Sequence, residues 1–270
     1  MVRLWALAKG SRIVPAPARS ALELALYDRL AKQRKVPLYQ FLGLPAPSRL
    51  ATSFTISIDT PDAMAQMARK IERYPIIKVK LGSDDDDESR LRAVREARPD
   101  AKLRVDANAG WMMGQAVANV AWLERYNIEM IEQPLPIGDA AAMGQLQRRT
   151  SIPIVADESV QTIDDVEELG AAGVRGINVK LMKVGGLSPA MRIIHRAREL
   201  GMGVMLGCMI ETSIGTTAMA HLAGLADWLD LDAPMLISND PFDGLCYDEA
   251  AHISIPDRPG IGAVRKAEAR

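Results

Sequence analysis

The chain has 270 residues, 48% of them apolar, with 33 Lys and Arg set against 34 Asp and Glu. That apolar content can bury a large core, as one big domain or two ordinary ones, and a net charge of −1 supplies no basic field for nucleic acid or an anionic membrane. Two cysteines, Cys208 and Cys246, argue against a disulfide framework, and no apolar run has the length of a membrane span or the shape of a secretory leader, so a soluble, cytoplasmic protein of a reducing compartment is expected.

In chain order, apolar β-type runs return with a helical stretch after each. They are "SFTISI" ending near Ser57, "IIKVK" at Lys80, "KLRVDAN" at Asp106, "IEMIEQP" at Glu132, "IPIVADES" at Asp157, "GINVKLMK" at Lys180, "GVMLGCMI" at Gly207 and "WLDLDAP" at Asp230. Successive ends lie 23 to 27 residues apart, the length of one strand-loop-helix-loop unit. Eight such units predict an α/β fold, a TIM-type (β/α) barrel whose active site lies at the C-terminal ends of its strands. The helical stretches carry ordinary punctuation. Ser188-Pro189 predicts an N-cap and first-turn proline, with Gly201 closing that helix, and the acidic run Asp84 to Glu88 suits the positive end of a helix dipole.

Charged residues inside the apolar runs fall at the strand ends. Lys78 and Lys80 share one face of the second strand, opposite Ile77 and Val79, and an unpaired ammonium buried there would be very costly. Asp106 with Asn108, Glu132, Asp157 with Glu158, Lys180 with Lys183, and Asp230 with Asp232 end later strands. One strand-end carboxylate is an ordinary loop or N-cap feature. Three at equivalent ends of consecutive strands, Asp106, Glu132 and Asp157, call for a cation, and hard oxygens with room for water or substrate suit Mg²⁺. The lysines approach from opposite sides of such a ring, and an ammonium beside another cation and partly desolvated has a lowered pKa. Lys78 is the expected cationic neighbour of Lys80. Two bases facing a metal-held carboxylate predict removal of its α-proton, an enediolate, and return of the proton from the other side.

With these residues placed, the chain resembles the enolase superfamily in its muconate-lactonizing subgroup, most closely the dipeptide epimerases. "KVK" at Lys78 to Lys80, "VDAN" at Asp106, "IEQPLP" at Glu132, "ADES" at Asp157 and "NVKLMKVGG" from Asn178 follow in family order. The resemblance implies the superfamily's modified (β/α)7β barrel over residues 49–245, a remnant of an α+β capping domain with its linking helix over 1–48, and a segment returning to the cap over 246–270. It implies Mg²⁺ on Asp106, Glu132 and Asp157, Lys80 and Lys180 as acid/base pair, and Lys78 tuning Lys80 and holding the substrate carboxylate. Asp230 and Asp232 match the Asp-x-Asp that takes a dipeptide's free ammonium, while Met209 and Glu211 would approach the site from strand seven. The expected partner is a dipeptide, with a homo-oligomer as a further expectation. His195, His221 and His252 lie away from strand ends, which disfavours the mandelate-racemase subgroup with its strand-end histidine.

Muconate cycloisomerase or o-succinylbenzoate synthase activity is the alternative on the same scaffold, and neither substrate offers an ammonium to Asp230 and Asp232. A truncated barrel without turnover is a second alternative, because most of the capping domain of relatives is missing, as a cut chain or a misplaced start codon would explain. A phosphate-binding barrel rests on "VGGL" at Val184 alone.

Overall fold

The computed structural model describes residues 14–47, 50–83 and 86–267. Each apolar run forms a strand that pairs in parallel with the next: β1 (Phe54–Ile56), β2 (Ile76–Lys80), β3 (Lys102–Asp106), β4 (Ile128–Glu132), β5 (Ile154–Ala156), β6 (Gly176–Val179), β7 (Gly203–Gly207) and β8 (Trp228–Asp230). Every expected strand end falls within one residue of the observed one. The ring closes where the Ser53 N–H donates to the Leu229 carbonyl at 3.2 Å and the Leu231 N–H donates to Thr52 Oγ1 at 2.7 Å.

Alternation sorts the strand residues into two populations. Ile77, Val79, Leu103, Val105 and Ile131 belong to the main core with the helices, whereas Met130, Val155 and Met205, packed with Trp228, form a separate cluster inside the barrel. Gly203 makes room for that tryptophan, since a Cβ there would stand 2.5 Å from the indole.

The helices in chain order are α1 (Ala16–Gln33), α2 (Leu38–Phe41), α3 (Pro61–Lys70), α4 (Asp87–Ala97), α5 (Met113–Leu123), α6 (Ala140–Gln147), α7 (Ile163–Ala172), α8 (Leu181–Val184), α9 (Leu187–Glu199), α10 (Ser213–Ala220) and α11 (Ala233–Leu236). After β8 the described residues hold only the one-turn α11, so the last strand has no full covering helix, as in a (β/α)7β barrel. The α4 start meets expectation: Asp86 accepts from the Ser89 N–H, with Asp87 and Glu88 in the first turn, while Asp84 and Asp85 lie outside the described residues.

The α9 start corrects the expected cap. The helix begins at Leu187 after Gly186, and the Ser188 N–H donates at 3.1 Å to Glu23 Oε2, a carboxylate brought by α1. Gly186 sits at φ +125°, and a Cβ there would meet Glu23 Oε2 at 1.9 Å. A buried side-chain anion thus holds the helix N-terminus that a phosphate would need, which removes the phosphate-binding reading.

Beyond the barrel, β9 (Phe242–Asp243) pairs with β12 (Val264–Arg265), and β10 (Cys246–Tyr247) with β11 (Ile253–Ser254). The chain then returns to α1 and α2: Gly260 exchanges hydrogen bonds with Val36 and Leu38, and the Ile261 N–H donates to Asp28 Oδ1 at 2.9 Å. No helix of the described residues is long and apolar enough to cross a membrane.

Candidate active site

Parallel register sets the strand-end charges side by side, pairing Lys80 with Asp106 and Asp106 with Glu132. Both lysines of β2 face the barrel centre and are paired there. Lys78 is 2% exposed, and its Nζ lies 2.9 Å from Asp106 Oδ2, 2.7 Å from Glu132 Oε2 and 2.7 Å from Asp230 Oδ2. Lys80 donates to Asp106 Oδ2 at 2.6 Å and to Asn108 Oδ1 at 2.7 Å. Lys180, which follows β6 four places round the ring, approaches from the opposite wall and donates to Asp157 Oδ2 at 2.7 Å. Lys183 holds the other oxygen of Asp157 and donates to the Asn178 carbonyl at 3.0 Å.

At Lys78 and Lys180 the electrostatics differ from the expected lowering of lysine pKa values. Burial pulls Lys78 down, but Asp106, Asp230 and Glu132 outweigh it and hold the ammonium well above its ordinary value. Lys180 is raised for the same reason, with Asp157 and Glu132 overcoming burial, while burial wins at Lys183 and lowers it. Lys78 is therefore clamped by carboxylates rather than serving only as a cationic neighbour of Lys80. The acids register the same crowding. Burial and the Asp106 charge push Glu132 up to about 8, whereas at Asp106 the pull of Lys78 and Lys80 overrides burial and lowers the value.

Among the described residues no three His, Cys, Asp or Glu side chains stand together as a ready metal site, because ammonium groups lie between the carboxylates. The donor set nevertheless fits Mg²⁺: Asp106, Glu132 and Asp157 offer hard oxygens from adjacent strand ends. One buried oxygen beside them, Asn178 Oδ1, has no hydrogen-bond donor. Oxygen in excess of donors is the imbalance that a hard cation relieves.

Asp230 and Asp232 lie on the seam between β8 and β1. Asp230 accepts from Ser53 Oγ at 2.6 Å besides Lys78, and Asp232 accepts from the Thr55 N–H at 2.9 Å. Burial and its neighbour Asp230 push Asp232 up to about 6; at Asp230 the pull of Lys78 overcomes burial and brings the carboxyl down to about 2. Met209 and Glu211 sit on the lip after β7, Met209 39% exposed, and burial pushes Glu211 up to about 7.

Sequence reasoning passes over the residues that orient these groups. Gln133 Oε1 accepts from the Asp157 and Ser159 N–H groups, Asn178 Nδ2 donates to Glu132 Oε1 at 2.8 Å, and Ser53 braces Asp230. The one signal for them in the sequence is position: Gln133 follows Glu132, and Asn178 lies two residues before Lys180.

Residues 62–269 match the model of the family described as Enolase C-terminal domain-like. The chain is 40% identical over 250 residues to the L-Ala-D/L-amino acid epimerase of Pedosphaera parvula, covering 90% of this chain and 72% of that protein. It is 38% identical over 261 residues to the L-Ala-D/L-Glu epimerase of Bacillus subtilis, covering 93% and 71%. The dipeptide epimerase of Cytophaga hutchinsonii, solved with Mg and the dipeptide D-Ala-L-Val, superposes with a TM-score of 0.89 at 35% identity, over 94% of this chain and 72% of that one. By the extent of the family match, the identity with these epimerases and the shared barrel, the chain belongs to the Enolase C-terminal domain-like family.

Proposed function

We propose that this protein is an isomerase, a Mg²⁺-dependent dipeptide epimerase that inverts the α-carbon of the C-terminal residue of its substrate. The observation that carries the reading is the pair Lys80 and Lys180, on opposite walls with the carboxylates of β3 to β5 between them. Asp106, Glu132 and Asp157 would hold Mg²⁺, which supplies charge neutralisation for the substrate carboxylate and so acidifies its α-proton.

The chain's own residues do the rest. A substrate carbon between the two amines can lose its α-proton to one Nζ and gain a proton from the other, so the C–H bond broken on one face is re-formed on the opposite face. Lys78, clamped at the centre, presents fixed positive charge to the incoming carboxylate. Asp232, and Asp230 behind it, offer the anionic side of the mouth to the substrate's free ammonium. Substrates of cycloisomerases or of o-succinylbenzoate synthase would leave that side unmatched.

The test is α-proton exchange in D₂O with Mg²⁺ and a pool of L,L-dipeptides, read as mass gain. Exchange should appear with the unsubstituted protein and vanish when Lys80→Ala and Lys180→Ala are combined. Exchange that survives both substitutions would sink the two-lysine reading.

A further inference from the structure

Glu158 does not touch the reacting position, yet it is wired to one base. Its Oε1 accepts from Asn108 Nδ2 at 3.0 Å, and the Oδ1 of the same amide accepts from Lys80 Nζ at 2.7 Å. Asn108 is held for this task by its backbone, which sits at φ +42° and donates its N–H to Asp106 Oδ1 at 2.9 Å. The remaining oxygen of Glu158 is buried with no donor. We propose that Glu158 is a positioning residue for Lys80, acting through Asn108, and that it governs proton transfer on one face of the substrate only. This inference rests on the epimerase reading above.

An ionised carboxylate can only accept, so Glu158 fixes the Asn108 amide with its NH₂ outward and its oxygen toward Lys80. A neutral lysine amine has two N–H bonds and one lone pair. With one N–H on Asp106 and the other on Asn108, the lone pair takes the remaining tetrahedral direction, away from both. Asp106 is also a proposed metal ligand, and an oxygen engaged by a cation is a poorer acceptor. Asn108 then carries most of the aim of Lys80, and without Glu158 its amide is free to turn a donor toward the amine. Among the described residues Lys180 has no amide partner of this kind: it donates to Asp157 Oδ2, and Lys183 holds the other oxygen of that carboxylate.

Epimerisation rates in the two directions are tied by the equilibrium constant, so the readout must be exchange of each epimer taken separately. Initial α-proton exchange in D₂O is measured with the L,L and L,D forms of one dipeptide, for Glu158→Ala, Asn108→Ala and the double variant, with Mg²⁺ affinity measured alongside. Lys80→Ala identifies the epimer that this base serves. The expected result is an approximately tenfold loss for that epimer, as for loss of a charge-assisted hydrogen bond, less than about twofold for the other, unchanged Mg²⁺ affinity, and a double variant no slower than Asn108→Ala alone. Equal losses for both epimers, no loss for either, additive losses, or weakened Mg²⁺ binding would each overturn the assignment. Absence of exchange from the unsubstituted protein would instead overturn the epimerase reading and this inference together.

Discussion

Replacing Lys78 with methionine removes the one ammonium that three buried carboxylates share, at 2.7 to 2.9 Å, while keeping the apolar stem. Its side chain is 3% exposed, so solvent does not screen the loss. Breaking a buried ion pair by deleting one partner costs about 3–5 kcal/mol. Here the lower end is expected at pH 7, about 3 kcal/mol, because burial and the Asp106 charge push Glu132 up to about 8, so that carboxyl is largely neutral and less charge is left uncompensated. A divalent cation held by two of these carboxylates, Asp106 and Glu132, together with Asp157 should offset part of the loss. Binding to the native state alone at a hundred times Kd adds about 2.7 kcal/mol, and the variant should gain more than the parent because the competing ammonium is gone. Urea denaturation at pH 7, with EDTA and then with Mg²⁺, measures both effects. A variant within about 1 kcal/mol of the parent in EDTA, or an equal Mg²⁺ gain in both proteins, would refute the argument that Lys78 stands in for a cation.

Asp230→Asn should slow α-proton exchange of a free-amine dipeptide by about tenfold or more relative to its N-acetylated form, as loss of an ion pair predicts; a ratio of rates that stays constant would remove the ammonium role. His221 is buried, accepts the Tyr39 N–H on Nδ1 at 3.2 Å and pairs Nε2 with the Ile261 carbonyl at 3.0 Å, and burial lowers its pKa. The folded state therefore prefers the neutral ring, the unfolded chain binds a proton near pH 6.5, and stability is full above that value and falls as pH drops below it. The difference in Tm between pH 7 and pH 5 should shrink in His221→Leu, and a difference that persists unchanged would show that other groups set it. Glu23→Ala should destabilise by about 1–2 kcal/mol, as for loss of an N-cap, through the uncovered Ser188 N–H; thermal denaturation at fixed pH reads it, and an unshifted Tm would place the stability of α9 elsewhere.

Strand count, strand ends and the order of charged residues are legible in the sequence, because a side-chain period of two and a unit length of 23 to 27 residues are local properties. The inward turn of Lys78 and Lys80 follows from that alternation. The cap of α9 is not legible: Ser188-Pro189 has the right local chemistry, but Glu23, far back in the chain, reaches the helix first. Arg104 is hidden for a similar reason. It sits in the apolar run of β3 and spends its guanidinium on Glu129 and on the Leu229 carbonyl of β8.

Sequence by itself therefore determined which groups end which strands, and on them the proposed chemistry rests. Only the tertiary structure decided who pairs with whom. Lys78 bridges carboxylates from β3, β4 and β8, Asn178 steadies Glu132, and Glu158 reaches Asn108 across the gap between β5 and β3. Each is a contact between residues remote in the chain, and in a buried site such contacts set both protonation and aim, since Coulomb attraction and hydrogen-bond geometry depend on distances that no sequence spacing specifies.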